Sequence, residues 1–177
     1  VPPGIAQLRG TAVHRAVAAN MRAKRDSGIL LSVEHVQTIA AETVDLESTA
    51  GLMLTDEEED RGTAKVLGEC KDVAVSLSGL HATALAPSID PEHIEAEIVS
   101  APLEALGGKK LIARLDLTEK NGTVRDTKTA GRTPSQRDAD TSEQLSIYAA
   151  AYKMAKGVLP SAVQLDALVN LKRGPRA

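Results

Sequence analysis

The chain has 177 residues, 42% of them hydrophobic and 25% charged, with a net charge of −3, a single cysteine (Cys70), two tyrosines and neither Phe nor Trp. That balance describes a globular protein with its own core, and no apolar run approaches the ~20 residues needed to cross a bilayer. One cysteine excludes an intramolecular disulfide, a zinc knuckle and a cysteine-held iron–sulfur cluster, so Cys70 reads as a small buried residue in a reducing, cytoplasmic protein.

The charge is unevenly placed. Residues 1 to 25 hold Arg9, Arg15, Arg22, Lys24 and Arg25 and no acid, residues 125 to 177 carry a net +4, and the stretch between is −12. If the fold joins the two ends, a basic groove can exist on an acidic protein. The scarcity of aromatic rings argues against base-stacking platforms and directs any nucleic-acid contact to phosphates. The opening VPPGIAQLRG has no initiator Met and no charged-then-apolar leader, which suggests a trimmed product or a piece of a longer chain with no signal peptide.

Apolar residues at helical spacing (Leu8, Ala12, Ala16, Ala19, widened by Val13 and Val17) predict a helix from 6 to about 25, ended by Ser27-Gly28. His14 lies on it, and a lone helical histidine is usually a packed or surface residue. A second helix is predicted from Val33 to about Ser48 with Ser32 as cap. Thr55 then caps a long helix opening on Asp56, Glu57, Glu58, Glu59 and Asp60 and running to about Leu85, with an interruption near Ser78-Gly79, until Pro87 stops it. The five acids read as charge favourably placed at a helix N-terminus rather than as a metal cluster.

From His93 to Leu106 the period changes to alternation and predicts a strand. Gly107-Gly108 turns the chain into LIARLDLTEKNGTVRDTKT (111 to 129), a β-hairpin with Asn121-Gly122 at its turn. In a strand, side chains two apart share a face, so Asp126 and Lys128 stand side by side. Loop length decides Asp116. A two- or four-residue loop turns it away, whereas a three-residue loop, Lys120-Asn121-Gly122 with Gly122 left-handed, sets it opposite Asp126. Asn followed by Gly suits that loop, and it is the one predicted. Two carboxylates and a lysine so arranged are either a solvated face with a salt bridge or a divalent-metal site with hard oxygen ligands.

Residues 130 to 140 (AGRTPSQRDAD) read as a loop, and 141 to 156 as a helix ended by Gly157 and Pro160. Gln144 and Tyr148 share a face of that helix, although Thr141-Ser142-Glu143-Gln144 also matches a capping box in which Gln144 merely closes a helix end. Ala162 to Leu171 reads as a buried strand before a basic tail.

The order is thus helix, three sequential antiparallel strands, helix, strand, with a helical insertion over about 29 to 88. On it lie GTAVHRA (10 to 16), ARLD (113 to 116), VRDTK (124 to 128) and QLSIY (144 to 148). This order of motifs resembles the PD-(D/E)XK nuclease superfamily, specifically its RecB-like exonuclease branch. The resemblance implies an α/β, restriction-endonuclease-like core with a mixed sheet of about four strands flanked by helices, spanning 1–177 as one domain. It implies a metal-dependent DNA exonuclease of recombination, repair or phage DNA processing, with DNA as substrate and a helicase or recombination protein as partner. His14, Asp116, Asp126 and the Thr127 carbonyl would hold Mg²⁺ or Mn²⁺, with Lys128 as catalytic lysine and Gln144 and Tyr148 lining the site. Arg132 and Arg137 are candidates for phosphate contacts or, equally, for a solvated loop. The rival expectation is a module that kept the fold and binds nucleic acid or partners without turnover.

Overall fold

A computed structural model describes residues 1 to 176 apart from 101, 103, 105, 106, 172 and 173. Six α-helices are described: α1 (Ile5–Ser27), α2 (Val33–Ser48), α3 (Asp56–Arg61), α4 (Thr63–Leu80), α5 (Gln136–Asp140) and α6 (Glu143–Lys156). Five strands, β1 (Pro91–Val99), β2 (Ile112–Glu119), β3 (Thr123–Ala130), β4 (Ala162–Leu171) and β5 (Gly174–Arg176), form one sheet in the order β1-β2-β3-β4-β5. The expected α/β class, a mixed sheet flanked by helices, is therefore present, with a three-residue fifth strand where a bare basic tail was expected. The chain divides into two compact units. One is Val1–Ser88 with Thr129–Arg132 and Leu168–Ala177, and the other is Ile89–Lys128 with Thr133–Ala167.

In the first unit α1, α2 and α4 pack on one another. Their apolar stripes meet through Leu8, Val13 and Met21 of α1, Val36 and Val44 of α2, and Leu77 of α4, all buried. Gly28 at φ 76 closes α1 as a left-handed cap, and the Ser32 hydroxyl caps α2 by accepting the His35 N–H. Lys71 of α4 pairs with Asp45 of α2. The helix expected from 55 to 85 is broken instead at Gly62, whose φ of 88 a continuing helix cannot adopt. Thr55 and Glu58 form a capping box on the six-residue α3 alone. The helix runs unbroken through Ser78-Gly79, because Gly79 is where α4 meets α2: a Cβ there would stand 2.6 Å from Gln37 Nε2. A π-helical turn (His81–Leu85) and a 3-10 turn (Ala86–Ser88) end the run at Pro87.

The basic residues of α1 are largely engaged within this unit. Arg15 pairs with Glu47 at 2.7 Å, Arg25 with Asp26 at 2.8 Å, and Lys24 Nζ donates to the Ala86 and Pro87 carbonyls, both at 2.9 Å. Cys70 is buried, as expected, and burial pushes its thiol pKa up.

In the second unit β1, β2 and β3 are sequential and antiparallel. β1 ends at Val99, short of the strand expected to reach Leu106. Residues 101, 103, 105 and 106 of that expectation lie outside the described set. Glu95, in mid-β1, takes φ 52, a left-handed conformation that costs an L-residue about 1–2 kcal/mol. Helix α6 packs on β1 and β2, and Leu115, Val124, Leu145, Tyr148 and Tyr152 form a buried cluster to which Val163 and Leu165 of β4 add.

Candidate active site on the β2–β3 hairpin

The hairpin loop is the three residues Lys120, Asn121 and Gly122, with Gly122 at φ 84. Its N–H donates to the Glu119 carbonyl at 2.9 Å. The Asn121 side chain accepts the Thr123 N–H, and Ser161 anchors the loop from beyond α6 by bonds to the Gly122 and Asn121 carbonyls. This is the odd-length turn that the Asn-Gly pair predicts. It sets Leu117 against Arg125 and Thr118 against Val124, and the same register continued one pair places Asp116 opposite Asp126. The Asp116 carboxylate accepts the Thr127 N–H at 3.0 Å.

Asp126 is 1% exposed, which removes the solvated-face reading for it. Its Oδ1 accepts from Gln144 Nε2 at 3.1 Å, and its Oδ2 lies 3.3 Å from Lys128 Nζ. Gln144 Nε2 also donates to the Tyr148 hydroxyl at 2.7 Å. The alternative role for Gln144 as a helix-end cap does not occur. Helix α6 starts at Glu143, two residues later than the sequence suggests, with Ser142 as N-cap accepting from the Leu145 N–H, and Gln144 points at Asp126. Tyr148 has its pKa pushed up to about 12, chiefly by burial, with Asp116 and Asp126 adding to it and the Gln144 bond opposing. Both carboxylates therefore bear on the one phenol.

The structure thus gathers Asp116, Asp126, Thr127, Lys128, Gln144 and Tyr148 in the second unit, while His14 on α1 and Arg132 belong to the first. His14 is half-buried and Arg132 exposed. Arg137 is exposed on α5, a short helix with its own Ser135–Asp138 capping box inside a segment expected to be loop.

A second charged group escaped the sequence reading. Arg125, next to Asp126, bonds Glu119 of β2 at 2.7 Å and Asp166 of β4 at 2.8 Å, all three largely buried. Asp166 was the available signal, being the lone charge in the mostly apolar run AVQLDALVNL.

Among the described residues no three His, Cys, Asp or Glu side chains gather closely enough to hold an ion. The donors at hand are the Asp116 and Asp126 carboxylates, both hard oxygens. That set fits Mg²⁺ or Mn²⁺, since Mg²⁺ is commonly held by one or two carboxylates with water and substrate phosphate completing the octahedron. Two carboxylates and a lysine on adjacent strands are groups that metal-assisted chemistry on phosphate esters can use. The sequence model of the PD-(D/E)XK nuclease superfamily matches residues 2–176, and the chain belongs to that superfamily. No curated protein and no solved structure gives a significant match.

Proposed function

We propose that this protein is a Mg²⁺- or Mn²⁺-dependent deoxyribonuclease of the RecB-like branch, acting as an exonuclease. The observation that carries the reading is Asp126: a buried carboxylate held between Lys128 and Gln144, opposite Asp116, within a match covering nearly the whole chain. Asp116, Asp126 and the Thr127 carbonyl would hold the cation, and the motif resemblance adds His14 to that set. When bound, the cation activates water and offsets charge on the phosphate. Lys128, 44% exposed and beside Asp126, donates to the attacking water or to a phosphate oxygen. Gln144 keeps the Asp126 carboxylate oriented, and Tyr148, un-ionised at neutral pH, serves as a hydrogen-bonding group rather than a base. Residues 29–88 are read as an insertion within a single nuclease domain, and Arg132 and Arg137 as phosphate contacts. The proposed setting is cytoplasmic DNA repair or recombination alongside a helicase.

The test is hydrolysis of linear and circular DNA, single- and double-stranded, with Mg²⁺ or Mn²⁺, by wild type, Asp126→Ala, Lys128→Ala and His14→Ala. Cleavage of linear DNA alone, lost in Asp126→Ala and Lys128→Ala, is the expected result. Equal activity of these two variants and wild type would overturn the mechanism, and DNA binding without cleavage would identify a non-catalytic module instead.

A further inference from the structure

The pleat of β3 sends Arg125 to the face opposite Asp126 and Lys128. There Arg125, its side chain 13% exposed, donates through Nε to Glu119 Oε1 at 2.7 Å and through Nη1 to Asp166 Oδ1 at 2.8 Å. The two carboxylates are 5% and 7% exposed. Glu119 Oε2 accepts the N–H of Asp90, just before β1, at 3.0 Å. One guanidinium therefore ties β2, β3 and β4 together and, through Glu119, reaches the entry to β1.

A buried ion triad is weak evidence for a gain in stability. Two carboxylates and one guanidinium leave a net negative charge out of water, and an apolar trio of similar volume is often as stable or more so. Asp166 shows the cost: burial raises its pKa against the opposing pull of Arg125, with Glu119 and Asp116 pushing the same way. Its Oδ2 is buried without a hydrogen-bond partner among the described residues. What the network does supply is direction. Arg125 immediately precedes Asp126, so pinning its side chain at two points fixes the rotation of β3 about its own axis, and with it the aim of the Asp126 carboxylate. Glu119, three residues beyond Asp116, pins β2 in the same way.

We propose that Glu119, Arg125 and Asp166 form a positioning network that sets Asp126 and Asp116 at the separation and orientation a divalent cation needs. This rests on the nuclease reading above. Arg125 is a positioning residue and touches no reacting atom. Groups that orient metal ligands from outside typically change metal affinity by roughly 10–100-fold when altered, and that is the effect expected here.

The measurement is Mn²⁺ affinity by calorimetric titration, on the whole 177-residue chain well below its melting temperature, with folding checked by circular dichroism. Arg125→Lys keeps the positive charge but has no planar fork to reach both carboxylates, and it is expected to bind Mn²⁺ about tenfold more weakly while staying folded. The combined variant Glu119→Gln, Arg125→Met, Asp166→Asn removes the buried charge at similar volume. It is expected to melt at or above the wild-type temperature and still bind Mn²⁺ at least about tenfold more weakly, a split that a merely structural role would not produce. Wild-type affinity in either folded variant overturns the proposal. If Asp126→Ala abolishes binding while these variants retain it, only the positioning role falls. If wild type itself shows no saturable Mn²⁺ site, the nuclease reading falls and takes the positioning role with it.

Discussion

At Asp126 a carboxylate sits out of water with one oxygen accepting from Gln144 and the other beside Lys128. Gln144→Ala removes the donor from a buried acceptor, which costs about 1–3 kcal/mol of stability and is expected to lower cleavage more than Tyr148→Phe does. Steady-state kinetics on one DNA substrate, with urea melts for both variants, check this order. Tyr148 makes a separate prediction. Its pKa of about 12 lies above the ordinary tyrosine value of about 10. Its stabilising contribution is therefore complete below about pH 10 and is lost as pH rises through about 12. An ultraviolet titration should show a late-ionising phenol that disappears in Tyr148→Phe, and a phenol titrating near 10 in the folded protein would contradict the burial argument. Asp166, also raised, follows the same rule. Its contribution is full below the unfolded carboxylate value of about 3.9 and is lost as pH rises through its higher folded value. Wild type should accordingly lose stability relative to Asp166→Asn as pH rises above the unfolded carboxylate value. Urea melts along that rise that show a constant difference would sink this.

Among the elements, the hairpin turn carries the most consequence per residue. Gly122 is at φ 84, and a Cβ there would come within 3.4 Å of the Tyr152 hydroxyl and 3.5 Å of Ser161 Oγ. Gly122→Ala should cost about 1–2 kcal/mol from the left-handed backbone alone. It should also lower Mn²⁺ affinity, because a loop of different length would turn Asp116 away from Asp126. A variant with unchanged stability and unchanged Mn²⁺ titration would remove the turn from the account. The turn was legible in the sequence because Asn-Gly has a local conformational preference that owes nothing to the rest of the chain. Gly62 was misread for the complementary reason. A glycine inside a run of good helix formers is often tolerated, and nothing local marks it as a break between α3 and α4 rather than a helix interior. Gly79 was misread as a break when it is a packing position against Gln37 of α2, a contact between residues 42 apart in sequence.

For the whole molecule, residues 29–88 are less detachable than the word insertion suggests. α2 and α4 cover the side of α1 that carries Leu8, Val13 and Met21, all fully buried. Replacing 29–88 by a short linker would expose that stripe. Burying a large apolar side chain contributes about 1.5–3 kcal/mol, so loss of several such burials exceeds the margin of a typical domain. The shortened chain is expected to aggregate or lose its cooperative thermal transition, as scanning calorimetry would show. A soluble, cooperatively melting product would mean that the helices of this segment are dispensable to the fold.

The sequence by itself determined α1, α2, α6 and the four long strands in their order, the caps at Gly28, Ser32 and Thr55, the hairpin register and the motif set that places the chain among the PD-(D/E)XK nucleases. All of these are written in local periodicity, turn chemistry and spacing, which act over a few residues. Only the tertiary structure decided that Asp126 is buried, that Gln144 faces it instead of capping α6, and that Arg125 joins Glu119 to Asp166 on the far side of the sheet. Those are encounters between β2, β3, α6 and β4, and burial and charge pairing across such separations depend on how the strands and helix pack.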